Sequence, residues 1–499
     1  MNYVIGIDLG TSAVKLLLVN QQGAVAAEVS KAYPLIQQKA GYSEQEPDIW
    51  VKQTIAGLSE LLDQFTGDRS QIVGLSFSGQ MHGLVLLDEK QKPLRNAILW
   101  NDTRTTAECR EIYETAGKER LLQVTKNPAL EGFTLPKILW VKKHEPALFQ
   151  KAKTFVLPKD YVRLKLSGQL HIDYSDAAGT LLLDIAKKEW SPELCRLFRL
   201  APDFCPPLIG SHEEVGTVLP EVAERTGLSA QTRVFAGGAD NACGAIGSGI
   251  LEEGKTLASI GTSGVVLSYE SSGDKDFQGV VHYFNHGAPD CFYTMGVTLA
   301  AGFSLSWFKE VFAKDESYSE LLEGVDTVPP GANGLLFTPY LAGERTPHAD
   351  SVIRGSFIGI DSSHERKDFV RAIVEGITFS LHESVQIFRE QGKRIDTIVS
   401  IGGGAQNETW LQMQADIFEA TIVKLSSEQG PGMGAAMLAA VGCGWFTSLR
   451  QCADAFLKVE KEFQPVQDNV AQYKELFRLY QAVYLNTKEL NKSLVKFRK

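Results

Sequence analysis

Val4-Ile5-Gly6-Ile7-Asp8-Leu9-Gly10-Thr11-Ser12 runs from an apolar, β-branched stretch into a glycine turn, and a second apolar run, Val14 to Val19, follows directly. The pattern predicts a buried strand over residues 4–9, a tip at Thr11 and Ser12, and a returning strand. Asp8 then stands at the end of the first strand. A carboxylate there suits a hydrated Mg²⁺, and the backbone N–H groups and hydroxyls of Gly10, Thr11 and Ser12 suit phosphate oxygens. The same turn chemistry returns as Ala258-Ser259-Ile260-Gly261-Thr262-Ser263-Gly264, without an acid. Taken singly, either turn reads equally as an ordinary hairpin, because Asp and Gly supply turn geometry. Their recurrence, flanked each time by β-branched residues, predicts one nucleotide held between two related lobes.

The 499 residues admit two large domains or three smaller ones. A hydrophobic content of 44% and a charged content of 22% are those of an ordinary globular chain. No apolar run reaches the length of a membrane-spanning helix. The start of the chain reads as a strand rather than a basic segment followed by an apolar one, which predicts no secretory leader. A net charge of -10 and a pI near 5.5 argue against a nucleic-acid partner. An anionic ligand must then be met by local donors and metal. Seven cysteines without a C-x-x-C spacing predict reduced thiols, most of them buried, in a cytoplasmic protein. His282 and His286 lack the neighbours of a zinc motif and predict no metal site.

Three glycine-dense junctions punctuate the chain: Gly237-Gly238-Ala239-Asp240-Asn241, the turn at Gly261, and Gly402-Gly403-Gly404-Ala405. Short apolar runs at residues 72–77 and 398–401 predict buried strands. Residues 368–391 place Phe369, Val370, Ile373, Val374, Ile377, Leu381, Val385 and Phe388 on one helical stripe, with Asp368 suited to the N-cap. Residues 469–490 predict a packing helix. Alternating strands and helices imply an α/β fold, with domains at 1–245 and 246–499.

Asp240 is the leading candidate for a catalytic acid or base. It follows a strand, Val234 to Gly238, and opens an Ala- and Gly-rich run where a substrate can approach the backbone closely. An aspartate there also suits a helix N-cap. The junction Ile401-Gly402-Gly403-Gly404-Ala405-Gln406-Asn407 precedes a helix and could face a nucleobase or a phosphate. It is no dinucleotide fingerprint, since Asn407 stands where G-x-G-x-x-G needs glycine, and no G-x-x-x-x-G-K-[ST] occurs.

Gly132 to His144, G-F-T-L-P-K-I-L-W-V-K-K-H, resembles the first signature of the FGGY family of carbohydrate kinases. Gly355 to Ile360, followed by Asp368 to Glu375, resembles the second. With the three glycine turns, the resemblance runs from Asp8 to about Gly434. It implies two lobes of ribonuclease-H-like topology with a cleft between them, and ATP with Mg²⁺ as the phosphate donor. Asp8 matches the metal-associated aspartate, and Gly10, Thr11 and Ser12 match the first phosphate turn, with Lys15 just beyond as an added positive charge or a surface lysine. Gly261, Thr262 and Ser263 match the second phosphate turn, Gly403, Gly404 and Asn407 the adenosine pocket, and Asp240 the catalytic base, with Asn241 beside it in the sugar site.

In S-G-Q-M-H-G, Met81 and His82 stand where family members acting on glycerol carry Arg-Glu, and the pair resembles members acting on D-xylulose. An imidazole can exchange a hydrogen bond with a sugar hydroxyl while a thioether packs on a carbon face. The resemblance therefore implies phosphorylation of D-xylulose at its 5-hydroxyl, with ribulose, gluconate or glycerol as alternative acceptors. A chaperone or filament ATPase of the same superfamily would need neither the Met81-His82 pair nor Asp240. W-N-D-T-R with Asp102 and Arg104, P-K-D-Y, S-D-A-A-G-T and G-E-R-T-P with Glu344 and Arg345 also match, without defined roles. The sequence allows a homodimer and does not require one.

Overall fold

The structure, a computed structural model, describes residues 1–498. The chain divides into two compact units. Unit 1 comprises Met1–Leu251, Glu270–Tyr293 and Gln429–Leu457; unit 2 comprises Glu252–Tyr269, Thr294–Glu428 and Lys458–Lys499. Unit 1 thus runs unbroken to Leu251, and two later segments return to it.

The sheet of unit 1 is built from β1 (Tyr3–Leu9), β2 (Ala13–Asn20), β3 (Val25–Ala32), β4 (Ile72–Gly79), β5 (Glu214–Thr217), β6 (Arg233–Phe235) and β7 (Gly238–Ala239). Its order is β5-β6-β4-β1-β2-β3, with β7 also on β4. β1 pairs antiparallel with β2 through the turn at Gly10 and parallel with β4. These strands are apolar because the sheet is covered. Ile5, Ile7, Leu9, Leu16 and Phe77 are fully buried in one core with Trp50, Leu58 and Leu61. Val4, Leu17 and Val19 point into another.

That second core explains one of the returning segments. Helix α1 (Tyr174–Ala178) and helix α2 (Asp240–Gly247) belong to unit 1, as does α6 (Gly430–Gly442), whose Met433, Ala436 and Met437 pack with Cys243, Ile246 and Leu17. Such a helix, apolar on every side, needs cover all round. Gly6 permits its close approach, since a Cβ there would stand 2.1 Å from the Gly432 carbonyl oxygen.

In unit 2, β8 (Gly254–Ile260) and β9 (Gly264–Glu270) form an antiparallel hairpin. β12 (Ile395–Gly402) runs parallel to β8, β13 (Thr421–Leu425) runs parallel to β12, and β14 (Val459–Phe463) runs antiparallel to β13. Two further strands lie between β9 and β12 in sequence: β10 (His282–Asn285), inside the Glu270–Tyr293 segment of unit 1, and β11 (Phe292–Thr298), which begins in that segment and continues into unit 2. The pairing sequence of β9-β8-β12-β13-β14, antiparallel then twice parallel then antiparallel, repeats that of β2-β1-β4-β6-β5. The helices of unit 2 used below are α3 (Gly302–Phe312), α4 (Arg366–Glu390), α5 (Glu408–Phe418) and α7 (Gln467–Leu494).

Several local expectations are corrected. Asp368 is not the N-cap of α4; Glu365 is, and the Asp368 carboxylate accepts the Glu365 N–H at 2.7 Å. Asp240 is likewise the first residue of α2 rather than its cap, which is Ala239. The strand expected over residues 234–238 is broken between β6 and β7, where Gly237 has φ +80° and a Cβ would meet the Phe77 carbonyl at 2.3 Å. Only Cys109, Cys243 and Cys452 of the seven cysteines are buried. Among the described residues no helix is long and apolar enough to cross a membrane.

Candidate functional site

The turn of unit 1 is held by its carbonyls. Tyr33 OH and Gln80 Nε2 donate to the Gly10 carbonyl at 2.5 and 3.3 Å, Gln45 Nε2 to the Thr11 carbonyl at 2.8 Å, and the Tyr33 N–H to the Ser12 carbonyl at 3.0 Å. With those acceptors engaged, the turn is fixed while Ser12 remains exposed. Trp100, 47% exposed, donates its indole N–H to Thr11 Oγ1 at 2.9 Å. The W-N-D-T-R segment contained this residue, but spacing does not reveal that it folds onto Thr11. Asp102 and Arg104 of that segment form a buried ion pair at 2.7 Å, joined by Glu44 and with the guanidinium 3.7 Å from the Tyr42 ring centre. They hold the loop.

Asp8 is half-buried. It is registered against Lys15 on β2 and Ser78 on β4. Burial raises its carboxyl above the ordinary range, while Ser78 and Lys15 oppose the rise. Lys15 reaches Gln429 at 2.8 Å and Glu28 at 3.0 Å, so its charge is shared with residues other than the turn.

Asp240 is also half-buried, and its carboxyl is pushed up to about 7 by burial, then by the charge of Asp8, against a hydrogen bond from the Asn241 N–H. The Asn241 side-chain amide donates to Asp240 Oδ1 at 3.1 Å and to the Met81 sulfur at 3.4 Å. This brings together two pairs that are 160 residues apart in sequence. Tyr293 OH reaches the same sulfur at 3.9 Å. His82 takes φ +67°. Its Nδ1 bonds the Gly179 carbonyl at 2.8 Å, and its ring lies 4.5 Å from Phe133 and 6.0 Å from Phe284 between centroids. Phe133, Phe284 and Tyr293 were missed because aromatic residues on apolar runs read as core.

In unit 2 the turn at Gly261 is anchored by a helix. The Gly302 and Phe303 N–H groups at the start of α3 donate to the Gly261 and Thr262 carbonyls at 2.8 and 3.1 Å. Gly261, Thr262, Gly403, Gly404, Asn407 and Trp410 line one cavity of about 450 Å³, together with Leu305 and Tyr318. Ser263, exposed at the same turn, is not among its lining residues. Asn407 caps α5, its side-chain oxygen accepting the Trp410 N–H at 3.0 Å. Glu344 is buried and pushed up to about 7 by burial; it accepts from Thr298 Oγ1 at 2.6 Å and the Leu299 N–H at 3.1 Å. Arg345 beside it is exposed. His282 Nδ1 and His286 Nε2 meet the Asn127 side-chain oxygen and the Ile250 carbonyl, at 3.1 Å each.

The model of the N-terminal domain of the FGGY family of carbohydrate kinases matches residues 3–247, and that of the C-terminal domain matches residues 256–443. The chain is similar to a xylulose kinase of Bacillus subtilis (strain 168), 63% identical over 499 residues and covering 100% of both chains. Among solved structures it resembles a ligand-bound xylulose kinase from Lactobacillus acidophilus at 27% identity, with a TM-score of 0.93 over 98% of this chain and 99% of that one. A gluconate kinase from the same species has a TM-score of 0.92 at 27% identity, over 100% of both chains.

Proposed function

The chain belongs to the FGGY family of carbohydrate kinases, and on that premise we propose that it transfers the γ-phosphoryl group of ATP to the 5-hydroxyl of D-xylulose. The products are D-xylulose 5-phosphate and ADP. The observation that carries the choice of sugar is the Met81-His82 pair, joined to Asp240 through the Asn241 amide at 3.4 and 3.1 Å. A backbone carbonyl only accepts, so His82 Nδ1 donates to Gly179, and in the neutral ring Nε2 has acceptor character. A sugar hydroxyl donates there, and the Met81 thioether meets a carbon face.

Asp240 acts as the base. A carboxyl pushed up to about 7 is ionised for a useful fraction of molecules at neutral pH and basic enough to take a proton. In the transfer, the bond from the sugar oxygen to the γ-phosphorus forms, the bond from that phosphorus to the bridging oxygen of ADP breaks, and the hydroxyl proton passes to Asp240. Because such transition states are loose, Asp240 aligns the hydroxyl and takes its proton late. The Gly10 and Gly261 N–H groups are taken by the Ala13 and Ser263 carbonyls at 3.0 Å each, so in each turn the Thr and Ser residues are the donors suited to phosphate oxygens. The cavity lined by Gly403, Gly404, Asn407 and Trp410 is within the size range of small-ligand sites and takes the adenosine.

The residues fit a magnesium ion. The charge of Asp8 opposes ionisation of Asp240, a conflict that a cation relieves, and the Lys15 ammonium is shared with Gln429 and Glu28. Asp8 would hold the ion, which when bound neutralises phosphate charge. The free thiols suit a reducing compartment, and we assign the protein to the cytoplasm.

The test is coupled measurement of ADP release over D-xylulose, ribulose, gluconate and glycerol. The reading expects D-xylulose to have the highest kcat/KM. A higher value for gluconate would overturn the choice of sugar, and ADP release with none of the four would overturn the kinase reading itself.

A further inference from the structure

The segment S-D-A-A-G-T touches both halves of the acceptor site. Ser175, at the start of α1, accepts the Ala239 N–H on its hydroxyl oxygen at 2.9 Å, one residue before Asp240. Its own hydroxyl donates to Asp173 Oδ2, which also accepts from Ser211 Oγ at 3.1 Å. Gly179, just past the other end of α1, presents the carbonyl that binds His82 Nδ1 at 2.8 Å. One short helix therefore holds the backbone of the base at one end and the sugar-binding imidazole at the other.

The helix is itself locked in place. Lys159 Nζ lies 2.6, 2.7 and 3.0 Å from carboxylate oxygens of Asp160, Asp173 and Asp176, all fully buried. These three aspartates are close enough to hold a metal ion, but the lysine supplies the cation. Arg163 bonds Asp160 at 2.8 Å and the Ala236 carbonyl at 2.7 Å, at the break between β6 and β7. Burial pushes the Asp176 carboxyl up, against the attraction of Lys159. Ion pairs buried to this degree resist displacement of the start of α1.

We infer that Ser175 and Gly179 are positioning residues that set the separation between Asp240 and His82, Ser175 governing the chemical step and Gly179 the grip on the sugar. The inference rests on the roles of Asp240 and His82 proposed above. Ser175 has no contact with the acceptor in this account and acts through the Ala239 N–H. Gly179 acts through the ring it faces. Its φ is -77°, which any residue adopts, yet a Cβ would stand 2.6 Å from His82 Nδ1. Gly179→Ala therefore displaces the imidazole without backbone strain.

Steady-state kinetics of full-length Ser175→Ala, Ser175→Thr and Gly179→Ala, with D-xylulose and ATP varied separately, test this. Ser175→Ala is expected to lower kcat about tenfold with the D-xylulose KM within about twofold of wild type, and Ser175→Thr, which keeps the hydroxyl, to restore kcat. Gly179→Ala is expected to raise the D-xylulose KM about tenfold and to leave the ATP KM and kcat near wild type. Kinetics are read at a temperature well below each variant's melting midpoint. If both alanine variants change kcat and both KM values together, or neither changes any, the division is overturned. Failure of the wild-type chain to phosphorylate D-xylulose would instead defeat the functional reading, and the two failures are distinguishable.

Discussion

At the turn of unit 1, side chains from three separate segments, Tyr33, Gln45 and Gln80, take up the carbonyls of Gly10 and Thr11. At the turn of unit 2 the corresponding carbonyls of Gly261 and Thr262 receive the first amides of α3 instead. The strand frames are alike: β1 and β8 each pair antiparallel with the next strand and parallel with a later one. Two residues before the turn glycine, unit 1 has Asp8 and unit 2 has Ser259. A repeated frame thus carries two chemistries. The first turn sits in an acidic setting with Asp8 and Asp240, the residues proposed above to hold a cation and take a proton. The second adjoins a largely apolar cavity suited to a nucleoside.

The comparison can be broken first at the base. Asp240→Asn is expected to lower kcat by about 10³-fold with calorimetric affinities for sugar and ATP within about threefold of wild type; near-normal turnover would remove Asp240 from the chemistry. Asp8→Asn should cost about 10²-fold in kcat and flatten the response to added magnesium, read from initial rates over a magnesium titration. Moving the acid to the other turn should not compensate. Ser259→Asp, alone or with Asp8→Asn, is expected to raise the ATP KM about tenfold, because a carboxylate there repels phosphates, and to restore no activity. Recovery of turnover in the double variant would mean that the turns are interchangeable.

The smallest effect is on stability. Folded, Asp240 keeps its proton up to about pH 7, whereas the ordinary value is 3.8. The folded state binds more protons than the unfolded one between those values, so this residue's contribution becomes less favourable as pH rises towards 7. Asp240→Asn should then melt about 2 °C or more above wild type at pH 8, with the gap narrowing at pH 5. A gap that widens on acidification would reverse the sign of the assigned shift.

Much of the frame was legible. Both glycine turns lie between short strands because a β-branched run, a glycine and a second apolar run admit few other conformations. The stripe of α4 was clear for the same local reason, although its start was misplaced by two residues, since Asp368 and Glu365 serve one cap from opposite sides. The residues around the sugar site were less legible. Met81 and Asn241 meet only in three dimensions, and Phe133, Phe284 and Tyr293 carry no sign in sequence that their rings border His82 or Met81 rather than fill a core. The return of Gln429–Leu457 to unit 1 was hidden because α6 is apolar on all sides and so does not indicate which sheet it covers.

The central claim is the division of labour between the two regions, and hydrogen exchange of the full chain tests it most directly. With D-xylulose alone, protection should rise in peptides spanning residues 78–84 and 238–243; with a non-hydrolysable ATP analogue alone, it should rise across 258–264 and 403–410. Protection of 403–410 by the sugar, with none at 78–84, would contradict the account.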